Sequence, residues 1–275
     1  MVSISIDRRG NATFYGFMNR IQQTITLITG ASSGIGEACA RHFAELGSHL
    51  ILMARRQDAL TALEQSLKAM HPDIRILTIT CDVRKRESVE SAIQALPAEW
   101  KNIDTLINNA GLSRGLEKIQ DGIIENWEEM IDTNIKGLLY VSRAVLPGMV
   151  QRKKGNIVNI ASIAGRETYP AGNVYCATKS AARTLSEAMR IDVNGTNIRI
   201  MNIDPGMVET EFSLVRFHGD ADRAKQVYKG MQPLTSDDIA EIIVFSVNRP
   251  SHVTIGDVLI LPTAQANTTT VYRES

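Results

Sequence analysis

Seven short apolar runs, at residues 24–29, 49–54, 75–80, 105–108, 156–160, 198–203 and 257–261, alternate along this chain with longer segments of helical period. The runs are rich in Ile, Leu, Val and Thr, the composition of strands covered on both faces. The segments between them, at 37–46, 58–70, 87–95, 127–151, 175–193 and 237–247, read as helices, the first stopping at Gly47 in a C-cap position. Strand–helix alternation with right-handed crossovers predicts a single α/β domain, a doubly wound, mainly parallel sheet with helices on both faces. In such a sheet ligands bind outside the carboxyl ends of the strands. Chemistry-bearing residues therefore belong just after each run. Gly30, then Arg55 and Arg56, Asp82, Asn109, Ser162 and Pro205-Gly206 follow the first six runs in turn.

At 275 residues the chain has room for one large domain of this kind. Its 30 Lys and Arg balance its 30 Asp and Glu, so no bulk charge draws it to nucleic acid or to an anionic membrane. No apolar run approaches the roughly 20 residues of a membrane span. Cys39, Cys81 and Cys176 are odd in number and far apart, which argues against a disulfide framework and for a reducing, cytoplasmic setting. With the histidines at 42, 49, 71, 218 and 252 they make no metal-ligand spacing, and no metal is expected. Residues 1–23 stand outside the regular pattern, with Arg8, Arg9 and Arg20 against Asp7 and no apolar core of a secretory signal. They read as a mobile extension ahead of a domain spanning 24–275. An upstream start with Met18 as the true initiator and a weak organelle-targeting role are the other readings.

The loop Thr29-Gly30-Ala31-Ser32-Ser33-Gly34-Ile35-Gly36 joins the first strand to the first helix. Gly30 permits a tight turn, Gly34 lets backbone N–H groups approach a pyrophosphate, and Gly36 lets the helix close on the sheet. Ser32, Ser33 and Ile35 complete the cradle at a helix N-terminus that favours negative charge. A glycine-rich turn without a ligand is the plain alternative. The end of the second strand selects the cofactor: an acid there suits the ribose hydroxyls of NAD, an arginine the 2′-phosphate of NADP. Here stand Arg55 and Arg56, with the nearest acid, Asp58, beyond them, and the expected cofactor is NADP. Asp82 is placed to meet the adenine through its carboxylate or through the Val83 backbone. The small residues of Asn109-Ala110-Gly111 leave room for the adenosine ribose.

Tyr175 and Lys179 are at i and i+4, so their side chains share one helix face about 5–6 Å apart at Cβ. A tyrosine with an ordinary pKa near 10 is a poor acid–base at neutral pH. A neighbouring ammonium and an oxidised nicotinamide would both favour phenolate, which can move a proton while hydride moves to or from the cofactor. Ser162 can hydrogen-bond the same substrate oxygen. Asn134, a mediocre helix former within a long helix, could hold a water that links to Lys179. Each has a bland reading alone: Tyr–Lys pairs recur by chance in helices, Ser162 can end a strand, and Asn134 can be an exposed polar position. Cys176 reads as a small buried filler, with no histidine base near it in sequence.

Together these residues resemble the short-chain dehydrogenase/reductase family in its shorter, single-domain branch, over roughly residues 24–262. The resemblance implies that Asn134, Ser162, Tyr175 and Lys179 form a proton-relay tetrad with Tyr175 as the central acid–base. Tyr175 and Lys179 would also bind the nicotinamide ribose. The segment after Pro205 and Gly206, through Met207, Val208 and Thr210, would close over the carboxamide and pyrophosphate. A narrower resemblance rests on Leu96-Pro97-Ala98-Glu99-Trp100, on residues 143–149, on Gly172-Asn173-Val174-Tyr175 and on Thr210 to Phe217. These stretches look like the NADP-dependent 3-hydroxy acid dehydrogenases, which act on serine, L-allo-threonine, related 3-hydroxy acids and malonic semialdehyde. That group usually has glycine where this chain has Cys176. Its members imply a homotetramer or homodimer, with the long helices from Trp127 and Tyr175 packing across a two-fold axis.

A carboxylate substrate needs a cation beside Tyr175, best supplied by an arginine fork. Arg216 is the first candidate, with Arg114 and Arg166 as alternates, and the substrate loop is expected at about 207–230. Three rival readings stay open. They are a short-chain reductase for another alcohol or ketone, an epimerase or dehydratase of the longer branch, and a non-catalytic NADP-binding protein. The short C-terminus and the glycine spacing argue against the second, and the intact tetrad against the third.

Overall fold

The apolar runs pair side by side into one seven-stranded parallel sheet. The structure, a computed structural model, describes residues 18–274, and before them the backbone of two strands paired antiparallel, β1 (Ser3–Ile6) and β2 (Ala12–Tyr15). The main sheet comprises β3 (Ile25–Thr29), β4 (His49–Ala54), β5 (Ile76–Thr80), β6 (Thr105–Asn108), β7 (Gly155–Ile160), β8 (Ile198–Pro205) and β9 (Asp257–Ile260). Its order is β5-β4-β3-β6-β7-β8-β9, with every neighbouring pair parallel. The order reverses between β3 and β6, the crevice where ligands of doubly wound sheets bind.

Adjacent residues within each run face opposite layers, which is why continuous apolar runs were needed. Ile28, Leu50, Ile107, Val158 and Met201 pack with α1 (Gly34–Glu45), α2 (Gln57–Met70) and α9 (Ser236–Val247). Leu27, Ile51, Leu106, Ile157 and Ile200 pack with α3 (Arg86–Gln94), α5 (Leu138–Arg152) and α6 (Asn173–Asp192). The segment expected as one helix over 127–151 is α4 (Ile124–Ile131), a π-helical stretch (Asp132–Gly137) and α5 in direct succession. Periodicity does not report that stretch, because a single π-helical turn is too short to set a period of its own. Two short helices, α7 (Phe212–Arg216) and α8 (Ala221–Gln226), occupy the expected substrate loop.

The packed chain begins earlier than residue 24. Ile21 is 1% exposed, the Arg20 amide donates to Asn248 Oδ1 at 2.7 Å, and Asn19 Nδ2 donates to the Leu46 carbonyl at 2.9 Å. Residues 19–23 are therefore tied to the domain rather than belonging to a mobile extension. A single buried isoleucine leaves no periodic signal to read. The expectations for residues 1, 2, 7–11, 16 and 17 fall outside the described residues. Among the described residues no helix is long and apolar enough to cross a membrane.

Candidate active site

The carboxyl ends of β3, β4, β6, β7 and β8 open into a cavity of about 540 Å³. Of the residues assigned to the tetrad, to the cofactor and to the Arg216 clamp, all but Gly36 and Asn134 line it, whereas the alternates Arg114 and Arg166 do not. Gly36 and Asn134 stand just behind the wall. A Cβ at Gly36 would lie 2.3 Å from the Gly30 carbonyl oxygen, so the residue has to be glycine for α1 to approach β3 this closely. Gly30 itself has φ +64, the left-handed region, where a side chain is strained. Asn109 braces the turn, its Nδ2 donating to the carbonyls of Thr29 and Gly30 at 3.0 and 3.2 Å.

The site fits a dinucleotide phosphate. α1 follows its N-cap Ser33, whose side chain makes no cap, leaving first-turn N–H groups without a side-chain acceptor beside the cavity. Arg56 leans over the same loop, its Nε 3.3 Å from Ser32 Oγ and its Nη2 donating to Ser32 O at 3.2 Å and to Glu211 Oε2 at 3.1 Å. Arg55 lies 4.0 Å from Glu129 Oε1. Both guanidiniums are about half exposed and free to turn toward a phosphate at the end of β4. Asp82 is held otherwise than expected. Arg84 closes on its two carboxylate oxygens at 2.6 to 3.0 Å and holds its pKa below the ordinary carboxylate value. Of the two contacts expected for an adenine, the Val83 backbone is the one left open.

α6 brings Tyr175 and Lys179 to the cavity as its i and i+4 residues, each less than 10% exposed. Lys179 Nζ donates to the Ile160 carbonyl at 2.9 Å and lies 5.9 Å from the centre of the Tyr175 ring. Burial lowers the Lys179 pKa to about 8, opposed by the charge of Asp204. Ser162 follows β7, its hydroxyl donating to the Pro205 carbonyl at 3.4 Å and accepting from the Ala164 amide at 3.1 Å. The Tyr175 phenol departs from expectation. Burial pushes its pKa up, and Arg216, not Lys179, is the chief charge pulling it back, with the nearby Ser162 hydroxyl a smaller influence in the same direction. Asn134 also differs. Its Oδ1 accepts from the Leu112 amide at 2.9 Å, while its Nδ2 donates to the Leu112 carbonyl at 2.8 Å and to Thr178 Oγ1 at 3.0 Å. Its amide is a strut between the β6 loop and α6, with both N–H groups engaged and one acceptor position of Oδ1 left open.

The three arginine candidates separate cleanly. Arg114 is bound to Glu129 Oε2 at 2.6 Å and to the Val215 carbonyl at 2.5 Å. Arg166 is bound to Asp204 and Asp257, both at 2.6 Å. Arg216 has no carboxylate within salt-bridge distance among the described residues. Its guanidinium stacks 5.1 Å from the Tyr175 ring centre and 5.3 Å from that of Phe212, and its Nη2 lies 3.2 Å from Tyr169 Oη. Its Nε is buried without a hydrogen-bond partner.

Several cavity residues escaped the sequence reading. Tyr169, Phe212, Val215 and Tyr228 form an aromatic and apolar wall, and Gln265 reaches in from the C-terminal segment to accept from the Met207 amide at 2.9 Å. Phe212 and Val215 flank Arg216 in a stretch already noted. Tyr169 carried no signal: it faces the site because the loop turns at Gly172, where a Cβ would strike the Tyr169 ring at 2.5 Å. Cys39, Cys81 and Cys176 are buried free thiols, and burial raises the pKa of each. Among the described residues no group of His, Cys, Asp and Glu is arranged to hold a metal ion.

Comparison with known proteins places this geometry. The sequence model for short chain dehydrogenases matches residues 24–219. The NADP-dependent 3-hydroxy acid dehydrogenase of Schizosaccharomyces pombe is 45% identical over 258 residues, covering 94% of this chain and 99% of that protein. The NADP-dependent 3-hydroxy acid dehydrogenase YdfG of Salmonella typhi is 46% identical over 243 residues, covering 88% of this chain and 96% of that one. The closed form of a serine dehydrogenase complexed with NADP+ matches with a TM-score of 0.85 and 43% identity, covering 91% of this chain and 100% of that chain.

Proposed function

This chain belongs to the short-chain dehydrogenase family, and from that premise we propose that it transfers a hydride between NADP(H) and a small 3-hydroxy acid or its 3-oxo partner. It is an oxidoreductase of CH–OH groups, and NADP is its cofactor. The single observation that favours an acid over a neutral alcohol is Arg216. A guanidinium with no carboxylate partner among the described residues, walled by Tyr169, Tyr175 and Phe212, is an electrostatically incomplete group beside the proton-transferring phenol. A substrate carboxylate completes it with charge-assisted hydrogen bonds.

Gly30, Ser32, Ser33, Gly34 and Ile35 would hold the pyrophosphate, Arg55 and Arg56 the 2′-phosphate, and Tyr175 and Lys179 the nicotinamide ribose. Bound NADP+ supplies the acceptor for hydride and a positive charge near the phenol. The chain's own residues do the rest. Arg216 holds the carboxylate, which sets the 3-hydroxyl between Ser162 and Tyr175. The Tyr175 phenolate oxygen takes the hydroxyl proton as the C–H bond gives up its hydride, and the C–O bond becomes a carbonyl. In reduction the same phenol returns the proton. The Lys179 ammonium holds the ribose and adds positive charge behind the ring.

Exposed Leu139 and Val150 on α5 and Ile191 on α6 offer apolar contacts for the homotetramer or homodimer we assign to the protein, in a cytoplasmic setting. Light scattering of the purified protein tests the assembly. The activity is tested by an NADP-coupled absorbance screen. The panel contains L-serine, L-allo-threonine and 3-hydroxypropionate, with malonic semialdehyde in the reverse direction, beside sugars and uncharged alcohols. Turnover of the hydroxy acids above the neutral compounds is expected. A preference for neutral alcohols or sugars would contradict the assignment of Arg216.

A further inference from the structure

Glu129 belongs to none of the motifs above and does not line the cavity, yet it contacts Arg55 and Arg84 at the cofactor end and Arg114, which reaches α7. It lies on α4 with its side chain 20% exposed, facing three arginines. Its Oε2 accepts from Arg114 Nε at 2.6 Å, its Oε1 from Arg84 Nη1 at 3.2 Å, and Arg55 Nη1 is 4.0 Å from Oε1. The three contacts are not equivalent. Arg84 is already fixed by its fork on Asp82, and Arg55 is held only at long range. Arg114 alone turns from Glu129 toward the substrate end.

There it meets the end of α7. Arg114 Nη1 donates to the Val215 carbonyl at 2.5 Å, and the next residue, Gly115, donates its amide to the Arg216 carbonyl at 3.0 Å. The last two residues of α7 are thus held from the β6 loop by two consecutive hydrogen bonds. A helix of five residues has too few internal bonds to fix its own position, so outside contacts must do it. Without the Glu129 carboxylate, Arg114 would keep no acid partner and would face the positive charge of Arg84 nearby. Its fork would then leave the Val215 carbonyl, and the Arg216 guanidinium would lose its alignment over Tyr175.

We propose that Glu129 is a substrate-positioning residue, holding Arg114 so that Arg114 and Gly115 fix the end of α7 and, through it, the Arg216 guanidinium over Tyr175. The inference rests on the reading of Arg216 as the carboxylate clamp. It adds that the clamp is set from α4, by a residue that touches neither substrate nor cofactor chemistry.

The test is a double-mutant cycle with 3-hydroxypropionate at saturating NADP. Glu129→Gln in the wild-type background is expected to raise KM about tenfold, with a change in kcat of less than about threefold. In an Arg216→Ala background the same substitution should change KM by less than about twofold, because its effect passes through Arg216. Arg114→Lys, which keeps a charge for Glu129 but lacks the fork that reaches Val215, should behave like Glu129→Gln. It carries the same cycle if Glu129→Gln does not fold. An unchanged KM in Glu129→Gln, with KM raised in Arg216→Ala, overturns the role of Glu129 alone. An equal penalty in both backgrounds also overturns it, since a general loosening of the fold would act without Arg216. If Arg216→Ala itself leaves KM unchanged, the clamp reading fails and this inference with it.

Discussion

The guanidinium carbon of Arg216 sits 5.1 Å from the centre of the Tyr175 ring. That one contact ties the binding end of the site to its chemical end. Burial raises the phenol's pKa, and the Arg216 charge is the largest influence opposing it. A residue assigned on sequence to hold a carboxylate therefore also conditions the acid–base, a role the sequence reading gave to Lys179.

Removing that charge should act on both functions. Arg216→Leu is expected to raise KM for 3-hydroxypropionate by tenfold or more, since a charge-assisted fork is worth roughly 1.5–3 kcal/mol. With less positive charge beside it the phenol gives up its proton at higher pH, so the ascending limb of the kcat/KM profile for oxidation moves to higher pH. Arg216→Lys should keep more of the pH effect than of the KM effect, because a lysine carries the charge without the fork. Steady-state kinetics across pH, on the three proteins, checks both parts.

The cofactor preference should follow the two arginines unequally. Arg56 touches the glycine loop directly through Ser32, whereas Arg55 leans toward Glu129. Arg56→Asp is expected to raise KM for NADP by more than about tenfold with NAD little changed, and Arg55→Asp to do so less strongly. Equal kinetics for both cofactors in wild type and variants would remove the 2′-phosphate assignment.

Lys179 gives a stability signature that is independent of turnover. Its folded pKa is down at about 8 from an ordinary 10.5. Between those values the unfolded chain keeps a proton that the folded chain has released, so stability rises with pH across that window. Below about pH 8 the whole cost of burying the ammonium is present. Lys179→Met has no such proton. Urea titrations without cofactor, from about pH 7 to pH 10, should show the stability difference moving in favour of the wild type. A difference that stays constant with pH would mean that Lys179 titrates normally.

The fold was legible because its code is local. Both faces of β3, β4, β6 and β8 are buried, so their apolar runs had to be continuous, and each candidate after them reached one cavity or its wall. What stayed hidden depends on contacts far apart in sequence. Arg166 is withdrawn from the substrate by Asp204, 38 residues away, and Arg114 by Glu129 and by Val215, 15 and 101 residues away. Asn134 stands out in the sequence as a mediocre helix former within a long helix. Its partners, Leu112 and Thr178, come from other elements, and they add a bracing role that the sequence did not announce. Ile21 joined the core on the strength of one side chain. α7 and α8 are too short for periodicity to report.

The most direct test of the whole account is the rate of NADPH formation from 3-hydroxypropionate in wild type and Tyr175→Phe, with NADPH binding measured in parallel by fluorescence titration. The phenol oxygen is the atom that moves the proton, and phenylalanine keeps the ring against Phe212 and Arg216. The account predicts a loss of about 10²-fold or more in kcat with NADPH affinity nearly unchanged. Turnover by Tyr175→Phe within about threefold of wild type would contradict it.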